Sequence, residues 1–247
     1  MQPEIQKKVL GLVPARGGSK GIPRKNVRLL RGKPLLEYTA QVARESARLA
    51  RTVLSTDDEE IAELGRKIGL EVPFLRPAEL AQDGTPMVDV ILHALAWVEG
   101  RGEPYDAVCL LQPTSPLRSA ATIDRCIALL WERAVDTVIS VRPVPAEYNP
   151  HWVYFESSDG LLRGSLGQGD AVPSRQQLPR ALHRDGSVFL ARTKIVTERH
   201  SLYGDLVLGY ESPAEEACDL DTEEQWEALE RRMDSMRASG LTDAKRR

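Results

Sequence analysis

Arg16, Lys20, Arg24 and Lys25 crowd into one short stretch that also carries Gly17, Gly18 and Gly21. That mixture suits a phosphate-bearing ligand. Glycines free the backbone to turn N–H groups toward an anion, and cations around the same turn neutralise its charge. The apolar run from Val9 to Val13 just before it reads as a buried strand that empties into the turn. Loops beyond the carboxyl ends of strands are where nucleotide phosphates gather in α/β sheets. The spacing is neither Gly-x-x-x-x-Gly-Lys-Ser/Thr nor Gly-x-Gly-x-x-Gly. Local chemistry therefore leaves an ordinary strand-to-helix turn with solvated cations open.

At the far end, Asp219 and Asp221 lie two positions apart, which an extended backbone places on one face. Two such carboxylates can approach one hard cation, and Mg²⁺ prefers oxygen ligands and bridges carboxylate to substrate phosphate. The alternative is a pair of solvated acids favoured by the dipole of the helix that follows. Gln112 ends an apolar run and either presents its amide to a second substrate or marks a polar strand terminus. Arg76 is either a base or ribose contact or a solvated surface group. Arg175 offers a two-pronged contact to a carboxylate or phosphate. The four histidines, His93, His151, His183 and His200, have no recognisable metal spacing, and structural or surface roles suit them better.

Ala15-Arg16-Gly17-Gly18-Ser19-Lys20-Gly21-Ile22-Pro23 with Lys25-Asn26 resembles the signature loop of the acylneuraminate cytidylyltransferases, the CMP-sialic acid or CMP-nonulosonate synthetases. Ser55-Thr56-Asp57, Leu75-Arg76-Pro77-Ala78-Glu79-Leu80-Ala81, Leu110-Leu111-Gln112-Pro113-Thr114-Ser115-Pro116-Leu117-Arg118, Arg175-Gln176-Gln177-Leu178-Pro179 and Asp219-Leu220-Asp221 match in the same order. The resemblance runs from about Val9 to about Leu229. It implies transfer of a cytidylyl group from CTP to an acidic nine-carbon sugar, with Mg²⁺ at Asp219 and Asp221. It implies nucleotide contacts from Arg16, Gly17, Gly18, Ser19, Lys20, Lys25, Asn26 and Arg76, and acceptor contacts from Gln112 and Arg175. Arg16, Lys20, Arg175 and Asp221 are the expected catalytic set. Asp185-Gly186-Ser187-Val188-Phe189 departs from the Asn-Gly and Tyr-containing strand common in relatives, so an amide and a phenol are missing where the acceptor is expected. Neighbouring possibilities are guanylyl transfer to a sugar phosphate, cytidylyl transfer to a phosphonate, and a non-catalytic nucleotide-binding paralogue.

These residues need a scaffold, and the chain alternates strand-like runs with helical stripes. Ile61, Leu64 and Ile68 recur at i, i+3 and i+7 before Gly69, and Ile123, Ile127, Leu130 and Trp131 repeat the pattern. Helices are expected over 34–50 and 87–98, and strands over 51–55, 107–111, 137–141, 187–191 and 206–210. Such repetition predicts an α/β fold: a Rossmann-like, mainly parallel sheet flanked by helices, with right-handed crossovers. The resemblance adds that it is like the nucleotide-diphospho-sugar transferases. Residues 9–142 are expected to form the nucleotide-binding core, 143–180 an inserted arm that in the resembling family exchanges within a homodimer, 181–236 the return to the core, and 237–247 a frayed tail. A mobile surface loop is the alternative for the arm. Thr222 and Gln225 have capping-box spacing, so the last helix should begin just after Asp221.

The chain has 247 residues and a formal charge of −3, which offers no cation excess for general nucleic-acid binding. Three cysteines without metal spacing suit a reducing cytoplasm. The polar start does not read as a signal peptide, and no apolar run reaches the roughly 20 residues that span a bilayer, so no membrane partner is expected.

Overall fold

The computed structural model describes residues 7–19, 21–167, 172, 174–218 and 220–238. Its elements in chain order are β1 (Val9–Pro14), β2 (Leu29–Leu30), β3 (Lys33–Pro34), α1 (Leu35–Glu45), β4 (Arg51–Ser55), α2 (Glu59–Lys67), α3 (Met87–Glu99), β5 (Ala107–Leu110), α4 (Ala120–Glu132), β6 (Thr137–Pro143), β7 (Tyr154–Glu156), β8 (Leu162–Gly164), β9 (Leu182–Arg192), α5 (Thr193–Arg199), β10 (Val207–Glu211) and α6 (Glu223–Ala238). Six strands form one sheet in the order β10-β6-β9-β5-β1-β4. β1 pairs in parallel with both β4 and β5, while β9 runs antiparallel to β5. Pro14 lies opposite Ser55, so the chain leaving β1 and the chain leaving β4 emerge side by side. That adjacency sets the position of the glycine-rich turn.

Alternation along β1 feeds two cores. Val9 and Val13 pack with Leu36, Ala40 and Ala43 of α1, Ile61 of α2 and Ile123, Ile127 and Leu130 of α4. Leu10 and Leu12 point the other way, against Ile91, Ala94, Leu95 and Val98 of α3 and Val196 of α5. A third cluster joins the two ends of the sequence: Ile22, Leu30, Leu35, Leu220, Trp226 and Leu229 are buried together. Each fully buried large aliphatic side chain contributes ~1.5–3 kcal/mol. Ile22 and Leu220 are both 0 % exposed, so this cluster ties the glycine-rich turn to the Asp221 segment.

Helix ends follow local chemistry. Asp58 caps α2 by accepting from Ile61 N at 3.0 Å, and Gly69, at φ +82°, takes the left-handed turn that ends it. Thr222 Oγ1 accepts from Gln225 N at 3.3 Å while Gln225 Oε1 accepts from Thr222 N at 2.9 Å, which is a reciprocal capping box. α1 stops at Glu45, short of the expected residue 50. Ser46 is extended, and the Asp124 carboxylate accepts from Ser46 Oγ, Ala47 N and Arg48 N, an alternative to another helical turn. α6 continues to Ala238, two residues past the point where fraying was expected, and 239–247 lie outside the described residues. The short helix α5 carries no strong stripe and was not expected.

Residues Val141–Arg184 make a second compact unit. Its β7 and β8 pair antiparallel, with Phe155 opposite Arg163. Asn149 Nδ2 donates to Pro179 O and Trp152 Nε1 to Val172 O, both at 2.9 Å. Among the described residues, no helix is long and apolar enough to cross a membrane.

Candidate active site

The turn after β1 is held from several sides. Ala15 N donates to Ser55 O at 3.0 Å, and Gly17 N donates to Asp57 Oδ1 at 3.1 Å, so that N–H serves the loop itself. Asn26 is buried, and its Nδ2 donates to Arg16 O at 3.1 Å, which closes the turn. A Cβ at Gly21 would fall 2.0 Å from the Asp221 carbonyl oxygen, so only glycine lets the two backbones approach this closely. By contrast, a Cβ at Gly18 would meet nothing within 4 Å, and the turn is open there. Ser19 beside it is half-buried.

The cations divide into different tasks. Lys25 Nζ donates to Leu220 O at 2.6 Å and to Asp221 Oδ1 at 3.0 Å, with its side chain only 13 % exposed. Thus a basic residue of the glycine-rich turn and an acid of the carboxyl-terminal motif meet directly. Arg16 Nη1 pairs with Asp83 Oδ1 at 2.7 Å. Arg24 turns the other way, toward Asp58 at 2.5 Å and Glu60. Hydrogen bonding from Arg24 holds the Asp58 carboxyl below its ordinary value, and Asp58 in turn raises Arg24.

Arg76 is buried rather than solvated. Its Nη2 donates to Ser55 O at 2.7 Å and Nη1 to Leu80 O at 3.3 Å, bracing the end of β4. Burial pulls its guanidinium below the usual value, opposed by Asp57 and reinforced by Arg16. These three charges therefore share one neighbourhood. Gln112 is half-buried, and its Oε1 lies 3.2 Å from where a Gly186 Cβ would sit. Arg175 is exposed and belongs to the Val141–Arg184 unit, where it opens a short turn over Arg175–Gln177. Lys20 and Asp219, both singled out from the sequence, lie outside the described residues.

Behind Gln112 stands a charge the sequence reading left without a role. Arg118 is 2 % exposed and donates to Gln112 O at 3.3 Å, to Thr39 Oγ1 at 2.9 Å and to Ser187 O. Burial draws it down to about 10, so it stays charged near neutral pH while clamping α1, β9 and the post-β5 turn. Asp185, the residue in place of the expected amide, accepts from Ser187 N at 2.9 Å and from the Ser140 and Ser212 hydroxyls. Arg118 lies within a matched segment, and that was its signal. Nothing in its spacing specified burial.

A hard cation needs accessible oxygen. The Asp221 carboxylate is 67 % exposed and presents Oδ1 to Lys25, a donor chemistry that suits Mg²⁺ shared with substrate phosphate. Among the described residues, no group of three or more His, Cys, Asp or Glu side chains is arranged to hold a metal.

The cytidylyltransferase family profile matches residues 10–224. The chain is 33 % identical over 232 residues to the CMP-N,N'-diacetyllegionaminic acid synthase of Legionella pneumophila, covering 92 % of this chain and 97 % of that protein. It is 29 % identical over 216 residues to a pseudaminic acid cytidylyltransferase of Campylobacter jejuni, covering 87 % and 91 %. A solved CMP:2-keto-3-deoxy-manno-octonic acid synthetase complexed with CTP shares the fold, with a TM-score of 0.68 and 16 % identity over 93 % of this chain and 99 % of that one. With the profile spanning both the glycine-rich turn and the Asp221 segment that Lys25 joins to it, the chain belongs to the acylneuraminate cytidylyltransferase family of nucleotidyltransferases.

Proposed function

We propose that this chain is a Mg²⁺-dependent cytidylyltransferase that converts CTP and a nonulosonic acid, a nine-carbon acidic α-keto sugar, into the CMP-sugar and pyrophosphate. The sugar's anomeric hydroxyl attacks the α-phosphorus of CTP. The new O–P bond forms as the bond from the α-phosphorus to the oxygen bridging it to the β-phosphate breaks, pyrophosphate departs with that oxygen, and the hydroxyl's proton is released to solvent. Positioning and electrostatics can supply most of this acceleration. One observation carries the reading: Lys25 and Asp221, 196 positions apart, meet at 3.0 Å where Gly21 abuts the Asp221 backbone. Cationic turn and acidic motif can thus face one triphosphate.

In this reading Arg16, Lys20 and Lys25 neutralise the phosphates, with Gly17, Gly18 and Ser19 forming the turn around them and Asn26 closing it. Arg76 supports the base or ribose side through β4. Gln112 offers its amide to the acceptor sugar, and Arg175 takes the acceptor's carboxylate with a two-pronged contact. Asp221 and Asp219 would hold Mg²⁺, which when bound lowers the hydroxyl's pKa or neutralises the leaving pyrophosphate. The names of the legionaminic and pseudaminic acid relatives support nonulosonic acids as the acceptor class. A homodimer is part of the proposal, with a second copy covering the apolar surface of Val141–Arg184.

Pyrophosphate release across CTP, GTP, UTP and ATP with nonulosonic acids, sugar phosphates and phosphonates tests it. Turnover is expected with CTP and a nonulosonic acid. Lys20→Ala and Asp221→Asn should each cut it by ~100-fold or more at unchanged melting temperature. Parent-like turnover in both variants overturns the mechanism, and turnover with another nucleotide or acceptor overturns the substrate assignment.

A further inference from the structure

Arg24 sits in the left-handed region at φ 53°, a conformation that costs a side-chain-bearing residue ~1–2 kcal/mol. Its carbonyl accepts from Val27 N and Arg28 N, both at 3.1 Å, and its side chain is held by Asp58. Asp58 Oδ2 accepts from Arg24 Nη1 at 2.5 Å and its Oδ1 from Nη2 at 3.3 Å. The same carboxylate packs against the start of the turn, since a Cβ at Gly17 would lie 2.6 Å from Asp58 Oδ2 and 2.9 Å from Asp58 Cβ. It also caps α2 through Ile61 N. One side chain, anchored to a helix end, therefore touches both the first and the last part of the turn that runs from Arg16 to Lys25.

Arg24 itself is poorly suited to meet phosphate in this arrangement. Asp58 and Glu60 both pair with it and turn its guanidinium toward the start of α2. Its effect is geometric: holding Arg24 fixes the backbone direction into Lys25, and Lys25 reaches Leu220 O and Asp221. We propose that Asp58 is a positioning residue for the nucleotide loop, latching its two ends through Gly17 and Arg24 so that the loop is preformed before the triphosphate arrives. Preorganisation of this kind raises affinity by removing the ordering cost from the binding step. The proposal rests on the reading that this turn takes a nucleoside triphosphate.

Asp58→Ser and Arg24→Gln separate the latch from the helix cap. Serine remains a good N-cap but is too short to hold Arg24, whereas Arg24→Gln leaves the cap untouched. In the full-length protein, each variant should raise the dissociation constant for CTP about tenfold, the scale of one lost charge-assisted hydrogen bond. The double variant should be no weaker than Asp58→Ser alone, because that substitution already removes the Arg24–Asp58 contact. The KM for the acceptor should stay at the parent value. Parent-like CTP affinity in the single variants, multiplied effects in the double variant, or an equal rise in acceptor KM overturns the latch. Nucleotide titrations of the parent protein run alongside keep the two ideas apart. A parent that prefers another triphosphate overturns the CTP reading alone, and the latch is then scored with that nucleotide.

Discussion

Large apolar side chains have opposite fates in the two compact units. In the first, Leu10, Leu12, Leu36 and Leu54 are all 0 % exposed, packed on both faces of a six-stranded sheet. In Val141–Arg184, Tyr148, Phe155, Leu161, Leu162 and Leu166 are each more than 60 % exposed, and among the described residues β7 and β8 form a two-stranded pair. An isolated hairpin is marginal in water, and apolar groups this exposed gain little from folding within one chain. The first unit is held by its own core. The second leaves its large apolar side chains in the open, and in the proposed homodimer another copy would cover them.

The sharpest test of that contrast is a matched pair of truncations. Leu36→Ala should lower stability by ~2–5 kcal/mol, as filled-core deletions do, whereas Leu162→Ala should change the single chain by less than ~0.5 kcal/mol. Urea denaturation at a dilution that favours monomers reads both, and equal losses would erase the distinction. Next in size is association. Replacing Phe155 and Leu162 together by serine should weaken self-association by about 30-fold, the scale of one interface hot spot. Sedimentation over a concentration series checks this, and an unchanged dimer would move the interface elsewhere.

The smallest effect is the first unit's acid sensitivity. Arg24 holds Asp58 below its ordinary value and Arg51 does the same to Glu71. A carboxyl depressed in the folded state adds stability that is fully present above its unfolded value and is lost as pH falls through its folded one. Stability should therefore decline once the pH drops below about 4, the ordinary carboxylate range. Arg51→Met should flatten part of that decline, by no more than ~1 kcal/mol because Glu71 is 43 % exposed. Thermal melts between pH 3 and 6 compare the two slopes, and parallel slopes would dismiss the Arg51–Glu71 share.

Much of the scaffold was legible because its patterns are local. The Ile61, Leu64, Ile68 stripe followed by Gly69 became α2, and the Thr222–Gln225 spacing became a capping box at the start of α6. Where a distant side chain competed, the reading slipped. Asp124 ended α1 early across 78 positions, and β9 begins at Leu182 rather than 187, running through Gly186 at φ +74°. The candidate site shows the same split: Arg16, Lys25 and Asp221 announced their charge, but nothing in the sequence singled out Asp58, and Arg118 looked like one arginine among many.

Residue order alone dictated the alternation of strand and helix, the glycine-rich turn at the end of β1, and the chemical types available to meet a phosphate. Those properties follow from steric preferences and hydrophobic periods that operate within a few residues. Folding assigned the partners. Lys25 goes to Asp221 because Ile22 and Leu220 are buried in one cluster. Arg24 goes to Asp58 because parallel pairing sets the end of β4 beside the end of β1. Like charges on adjacent residues look interchangeable along the chain, and they acquire different work only when packing brings a particular acid within reach of each.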